Sequence, residues 1–187
     1  MKDLQSIQNW YKLQCNGDWE HEYGIKIQTL DNPGWNISID LINTILQGFT
    51  IEKNVDNNDN DWFYFKSDGK VFSGSGDSNK LSILLEEFIS FVLQNIGKSN
   101  YLYTVYASID LSNVRVFRPI EVKMIGLSDF EIISIPDIDL KDLKVLDIDD
   151  FEKLNVEKLI TDINYKIGDI VKCDLLNFYD YPSLVIL

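Results

Sequence analysis

Between Tyr23 and Leu41 the chain reads YGIKIQTLDNPGWNISIDL, two alternating runs hinged on four turn-forming residues. Side chains two apart on a strand share a face. Tyr23, Ile25 and Ile27 therefore line one side of the first run, and Trp35, Ile37, Ile39 and Leu41 one side of the second. Asp31-Asn32-Pro33-Gly34 between them favours a reversal, because proline presets φ and glycine accepts positive φ. The stretch predicts an antiparallel hairpin with one apolar face and Trp35 in the core.

The flanking segments extend this hairpin into a sheet with helices. Residues 3–15 predict a helix, with Asp3 as its cap, Leu4, Ile7 and Tyr11 at helical spacing, and Asn16-Gly17 as its stop. A third strand is expected around Phe49–Val55, then a polar loop, VDNNDND. The runs DWFYFK and KVFSG flank a Ser67-Asp68-Gly69 turn and predict a second hairpin. Residues 79–96 predict a helix whose main stripe is Leu81, Leu84, Leu85, Phe88 and Val92. Ile83, Ile89, Phe91 and Leu93 spread apolar surface beyond that stripe, and a helix greasy on several sides is covered on several sides. The carboxyl-terminal half is thus expected to pack against it.

Gly97-Lys98-Ser99-Asn100 marks the expected boundary between a domain of residues 1–98 and a strand-rich region of residues 99–187. In the second region YLYTVYASIDL, VRVFRPIEV, FEIISIP and DLKVLDI are strand-like. Asp150 begins an expected helix running to Asn164, and IGDIVKCDLL is a last strand before a Tyr/Pro tail. The fold class is α+β, mainly antiparallel sheet, with an amino-terminal helix and a buried helix near 79–96.

Charge narrows the partners. The net charge is −13. Residues 1–98 carry 8 Lys/Arg against 14 Asp/Glu and residues 99–187 carry 9 against 16, so the acidity is no tail effect. A field of that sign repels nucleic acid and anionic membrane and attracts basic proteins. Cys15 and Cys173 are too few for a disulfide framework. The most apolar stretch, LSILLEEFISFVLQNI, is interrupted by Glu86 and Glu87 and is short for a bilayer. With no basic-then-apolar start to suggest a cleaved signal, a cytoplasmic, reduced protein is expected.

Candidate chemistry centres on CNGDWEHEYG, residues 15–24, which holds the single histidine, His21. Cys15 and His21 could form a thiolate–imidazole pair, with Asp18 or Glu20 orienting the ring, as in a small sulfurtransferase-like enzyme. Cys15, however, falls near the apolar side of a helix end, where a buried structural thiol is the usual outcome. No glycine-rich loop follows it to hold an oxyanion, so no catalytic residue is assigned. Asp18, Glu20, His21 and Glu22 would alternate between two faces of a strand, which splits them as metal ligands. The aspartate-rich run DIDLKDLKVLDIDD, residues 137–150, lacks the glycine and terminal glutamate of a calcium-binding EF-hand loop. Gly74-Ser75-Gly76-Asp77 matches neither phosphate-binding pattern, and Asp77 or Ser78 is expected to cap the following helix. Neither a metal nor a cofactor is expected. Trp19 is expected to fold back onto the first helix; left exposed among Asp18 and Glu20, it would anchor a basic protein.

The block WYKLQCNGDWEHEYGIKIQTLDNPGW resembles the immunity protein 53 family of bacterial polymorphic-toxin systems. The resemblance rests on Trp10-Tyr11, Cys15, Asp18-Trp19-Glu20-His21, Gly24 and the Leu30-Asp31-Asn32-Pro33-Gly34-Trp35 turn. It continues through Asp61-Trp62 and Phe72-Ser73-Gly74 and covers roughly residues 1–97. It implies an antitoxin that binds a cognate toxin, such as a basic nuclease, and blocks it without turnover. The acidic residues offered to such a partner are Asp18, Glu20, Glu22, Asp137, Asp139, Asp142, Asp147 and Asp149, together with Trp19 and His21.

Overall fold

Trp10 decides how the first helix sits. Helix α1 (Lys2–Gln14) buries Ile7, Trp10, Leu13 and Gln14. The Trp10 ring meets Phe88 edge-on at 4.9 Å between centroids and Trp19 at 5.9 Å. Leu4, Ile7 and Tyr11 have the helical spacing read from the sequence, but of the three only Ile7 is buried. Both sets follow the helical period, but the largest ring goes inward and rotates Leu4 (54% exposed) and Tyr11 (38% exposed) toward solvent. Asp3 lies inside the first turn and is not its cap. Gly17, at φ 97°, ends the segment as the sequence suggests.

The computed structural model describes residues 2–111, 114–137, 143–145, 164–178 and 182–187. The chain divides into one unit of residues 1–14 and 18–100 and another of residues 15–17 and 101–187.

In the first unit β1 (Ile25–Leu30) and β2 (Gly34–Asp40) form the hairpin read from the sequence, in unbroken register from Ile25↔Ile39 to Leu30↔Gly34. Two details differ. Trp35 is half-buried, its indole N–H donating to the Ser78 carbonyl at 3.0 Å, so its polar edge stays near the surface. Gly34 does not adopt positive φ. Glycine is needed there because a Cβ would lie 2.5 Å from the Gly76 carbonyl oxygen of the neighbouring strand.

Strands β3 (Thr50–Asn58), β4 (Asp61–Asp68) and β5 (Val71–Asp77) complete an antiparallel sheet of order β1-β2-β5-β4-β3. The VDNNDND segment is mostly strand and turn, not loop. Its residues pair with β4, Val55 opposite Phe63 and Asp56 opposite Trp62, before a register shift at Asp56/Asn58. An edge strand tolerates such polar composition because its side chains stay solvated. The turn after Asp68 is as read: Gly69 takes φ 85°, and the Asp68 carboxylate accepts the Lys70 and Val71 amides at 2.8 and 2.9 Å.

Helix α3 (Leu81–Asn95) covers the apolar face, burying Leu84, Leu85, Phe88, Phe91 and Val92. Phe72 is the hub beneath it, 5.2 Å from Phe88, 5.3 Å from Phe65 and 6.0 Å from Phe91. Gly74 lets the helix approach, since a Cβ there would sit 2.9 Å from a Leu84 methyl. The cap of α3 is Lys80, with no side-chain cap bond, so Asp77 and Ser78 are not the cap. Asp77 instead joins β4 to the loop before the helix: its carboxylate accepts the Trp62 amide at 3.0 Å and the Asn79 amide at 2.8 Å.

The second unit is a meander closed on itself. Strands β6 (Tyr103–Leu111), β7 (Val114–Met124), β8 (Asp129–Ser134), β10 (Ile170–Asn177) and β11 (Pro182–Ile186) pair antiparallel in succession, and β6 also pairs with β7. The short β9 (Lys144–Val145) adds to β7. Closing five meandering strands forces the last to run parallel to the first, as β11 does beside β6 at Val185↔Tyr106. Tyr103, Val105, Ala107 and Ile109 alternate inward on β6, matched by Ile120, Val122 and Met124 on β7 and Phe130 and Ile132 on β8. Pro119 lies opposite Tyr106 in the β6–β7 pairing, and on the other side of β7 it falls between the stretch paired with β9 and the stretch paired with β8. The carboxyl-terminal segment read as a Tyr/Pro tail is thus the strand that closes the ring. The helix expected from Asp150 lies outside the described residues.

Candidate functional site

Residues 18–22, expected to alternate along a strand or connection, form a single helical turn, α2 (Trp19–Glu22). The His21 amide bonds the Asp18 carbonyl at 3.1 Å and the Tyr23 amide bonds the Trp19 carbonyl at 2.8 Å. Four residues cannot hold a helix on their own. Trp19 supplies the anchor. It is 2% exposed, and its indole N–H donates to the Ile42 carbonyl at 2.8 Å. Its ring also lies 6.2 Å from Tyr11 and 6.0 Å from Tyr23. With the indole inward, Asp18, His21 and Glu22 are exposed and Glu20 is half-buried. Trp19 folds back as expected, so the surface of this turn is acidic without an exposed indole.

Beside the turn lies a cavity of about 380 Å³ lined by Ile7, Gln8, Tyr11, Tyr23, Gly24 and Ile25. Ile7 and Ile25 give it apolar walls, and Tyr11 and Tyr23 give it aromatic ones. The Tyr23 hydroxyl is pushed above its ordinary pKa by burial, then by the Glu22 carboxylate, to which it is hydrogen-bonded, and by the charge of Asp40. Asp40 in turn accepts the Gly24 amide at 3.0 Å, which fixes the start of β1. The sequence reading missed this cavity. Helical spacing alone marks Tyr11 as a residue of the first helix, and its proximity to Tyr23 runs through the Trp19 ring that lies beside both.

Asp137 is exposed in the second unit, where its charge opposes the lowering that burial imposes on the Arg118 guanidinium. Asp139, Asp142, Asp147 and Asp149 lie outside the described residues. Cys15 and Cys173 are both buried, and burial pushes the Cys173 thiol up to about 12. A buried thiol of that kind is a poor nucleophile. Among the described residues no three His, Cys, Asp or Glu side chains gather as a metal site, and no helix is long and apolar enough to cross a membrane.

An antiparallel sheet covered by α3, with α1 packed against that helix and an acidic turn beside an aromatic cavity, defines the first unit as an α+β domain. By comparison, residues 4–92 are similar to the family described as immunity protein 53, whose sequence model they match. The resemblance read from the WEH and DNPGW segments is borne out, and the match supports an immunity-protein role. Residues 93–187 lie beyond it. Neither the curated proteins nor the solved structures contain a match.

Proposed function

We propose that the chain is an immunity protein that binds a cognate bacterial toxin in the cytoplasm and silences it by occupancy rather than turnover. The observation that carries this reading is the family match over residues 4–92. The toxin is a basic protein, and a nuclease with a phosphate-binding cleft fits best. Opposite charge speeds capture, and carboxylates can occupy sites built for phosphate. The net charge of −13 supports such a partner, as do the exposed Asp18, Glu22 and Asp137.

The test is co-purification of the tagged full chain with the product of the gene immediately upstream, followed by titration of the complex with salt. The expected result is a complex that weakens as salt rises and protects cells from that product. A neighbouring product that neither binds nor is neutralised would overturn the reading.

A further inference from the structure

We infer that the toxin docks along the open edge of β1, adding an extended segment as a further strand and placing a lysine or arginine side chain in the cavity of Tyr11 and Tyr23. This deepens the immunity reading and rests on it. The two edges of the first sheet are unlike. Edge strands are normally blunted by bulges and charge. β3 has both: a register shift at Asp56/Asn58, and Lys53 paired with Glu87 of α3. β1 has no shift, and Lys26 is its one charged residue. It also presents Ile27, 41% exposed, on the side that faces the helices.

Hydrogen-bond parity shows what the edge offers. The Asp40 amide bonds the Gly24 carbonyl at 3.1 Å. In an antiparallel ladder the paired positions alternate, so Lys26, Gln28 and Leu30 turn their backbone groups toward β2. Ile25, Ile27 and Thr29 turn theirs outward, and among the described residues no strand pairs with them. Main-chain bonding to such an edge gives affinity, and pockets for alternate side chains give specificity.

The pocket at this edge has matching chemistry. Ile25 and Gly24 line the cavity, so an added strand beside Ile25 brings its helix-side residue over the opening. A lysine or arginine stem suits walls of Ile7, Ile25 and two tyrosine rings. Its charged head would meet Glu22, with Asp40 close enough to influence Tyr23. Asp18 and Glu20 lie on the adjoining turn. The cations nearby in sequence are Lys12 and Lys26, both exposed, so carboxylates prevail around the opening.

The full chain and its variants would be titrated calorimetrically with an inactivated form of the upstream gene product. Ile27→Pro removes an outward N–H and leaves the β2 ladder intact, and should weaken binding about tenfold or more. Glu22→Gln should weaken it about three- to tenfold and flatten its salt dependence. Glu52→Gln, on the opposite edge, should match the wild type. Amide exchange on the wild-type chain, with no substitution, should show Ile25, Ile27 and Thr29 gaining protection in the complex. Wild-type binding with no such protection, and with all three variants within twofold of wild type, would overturn this docking site and leave the immunity reading standing. Absence of any wild-type complex would overturn both.

Discussion

Replacing Asp77 by asparagine separates a helix cap from the role the structure gives this residue. At an N-cap, Asn and Asp are nearly equivalent, so a cap would lose only a few tenths of a kcal/mol, about the noise of the measurement. Asp77 is 3% exposed, and its two carboxylate oxygens accept two different backbone amides, those of Trp62 and Asn79. Lys80 lies 3.5 Å from one of them and reaches Asp61 at 2.6 Å. An amide side chain has one acceptor oxygen, so Asp77→Asn leaves one backbone N–H facing an NH₂ group and removes a charge from Lys80. A buried unsatisfied donor costs about 1–3 kcal/mol, and the lost charge-assisted bonding brings the total to about 2–4 kcal/mol.

All four tryptophans, Trp10, Trp19, Trp35 and Trp62, belong to the first unit, so indole fluorescence during urea unfolding reports on it. A loss below about 0.5 kcal/mol at pH 7 would refute the two-amide role. The pH dependence is a second check. Burial pushes the Asp77 carboxyl up, but the Asn79 and Trp62 amides and Lys80 outweigh it and hold the group below its usual range. The folded state therefore binds its proton more weakly than the unfolded chain does. Its stabilisation is complete above the unfolded value, near 3.9, and is lost as pH falls through the lower folded value. The gap between wild type and Asp77→Asn should narrow from pH 6 toward pH 3. A gap constant over that range would show that the charge contributes nothing.

Three further changes probe the scaffold. Gly34→Ala pushes a Cβ against the Gly76 carbonyl and should cost about 1–3 kcal/mol by urea titration, whereas Gly24→Ala, with nothing within 4 Å, should be near neutral; equal effects would contradict the close-approach explanation. Trp19→Phe keeps an aromatic ring but leaves the Ile42 carbonyl without its indole donor, and should cost roughly 1–3 kcal/mol; an unchanged melting curve would show that this bond does not hold the turn. Iodoacetamide at pH 8 should modify Cys173 only after unfolding, because burial pushes its pKa to about 12. Rapid labelling of the native chain would mean that this thiol is accessible.

What could be read from the sequence follows the range of the interactions involved. The first hairpin was legible because its alternation and turn lie within nineteen residues of one another. The face of α1 was not. Leu4, Ile7 and Tyr11 satisfy the helical period as well as Ile7, Trp10 and Leu13 do, and only Phe88 and Trp19, distant in sequence, decide between them. Strand β11 was hidden for a related reason. Proline at the first position of a strand resembles a tail, and nothing local announces that Val185 will pair with Tyr106. Asp77 was misassigned because residues preceding a helix invite a cap reading, and its amide partner at Trp62 comes from another strand.

The acidic turn shows how a core residue can shape a surface it does not belong to. Composition alone places Asp18, Glu20, His21 and Glu22 side by side, but their common presentation depends on one helical turn too short to be stable by itself. Burial of Trp19 and its bond to Ile42 hold that turn, and the same indole brings Tyr11 and Tyr23 to the two sides of the cavity. Trp19 is thus a positioning residue whose loss would disorder the charged rim and the aromatic walls together. If the toxin docks here, Trp19→Phe should weaken binding without removing any group that touches the partner. Glu22→Gln, by contrast, should weaken binding and leave the unfolding curve unchanged. Finding both variants equally destabilised in unfolding would mean that Glu22, too, serves the fold rather than the partner.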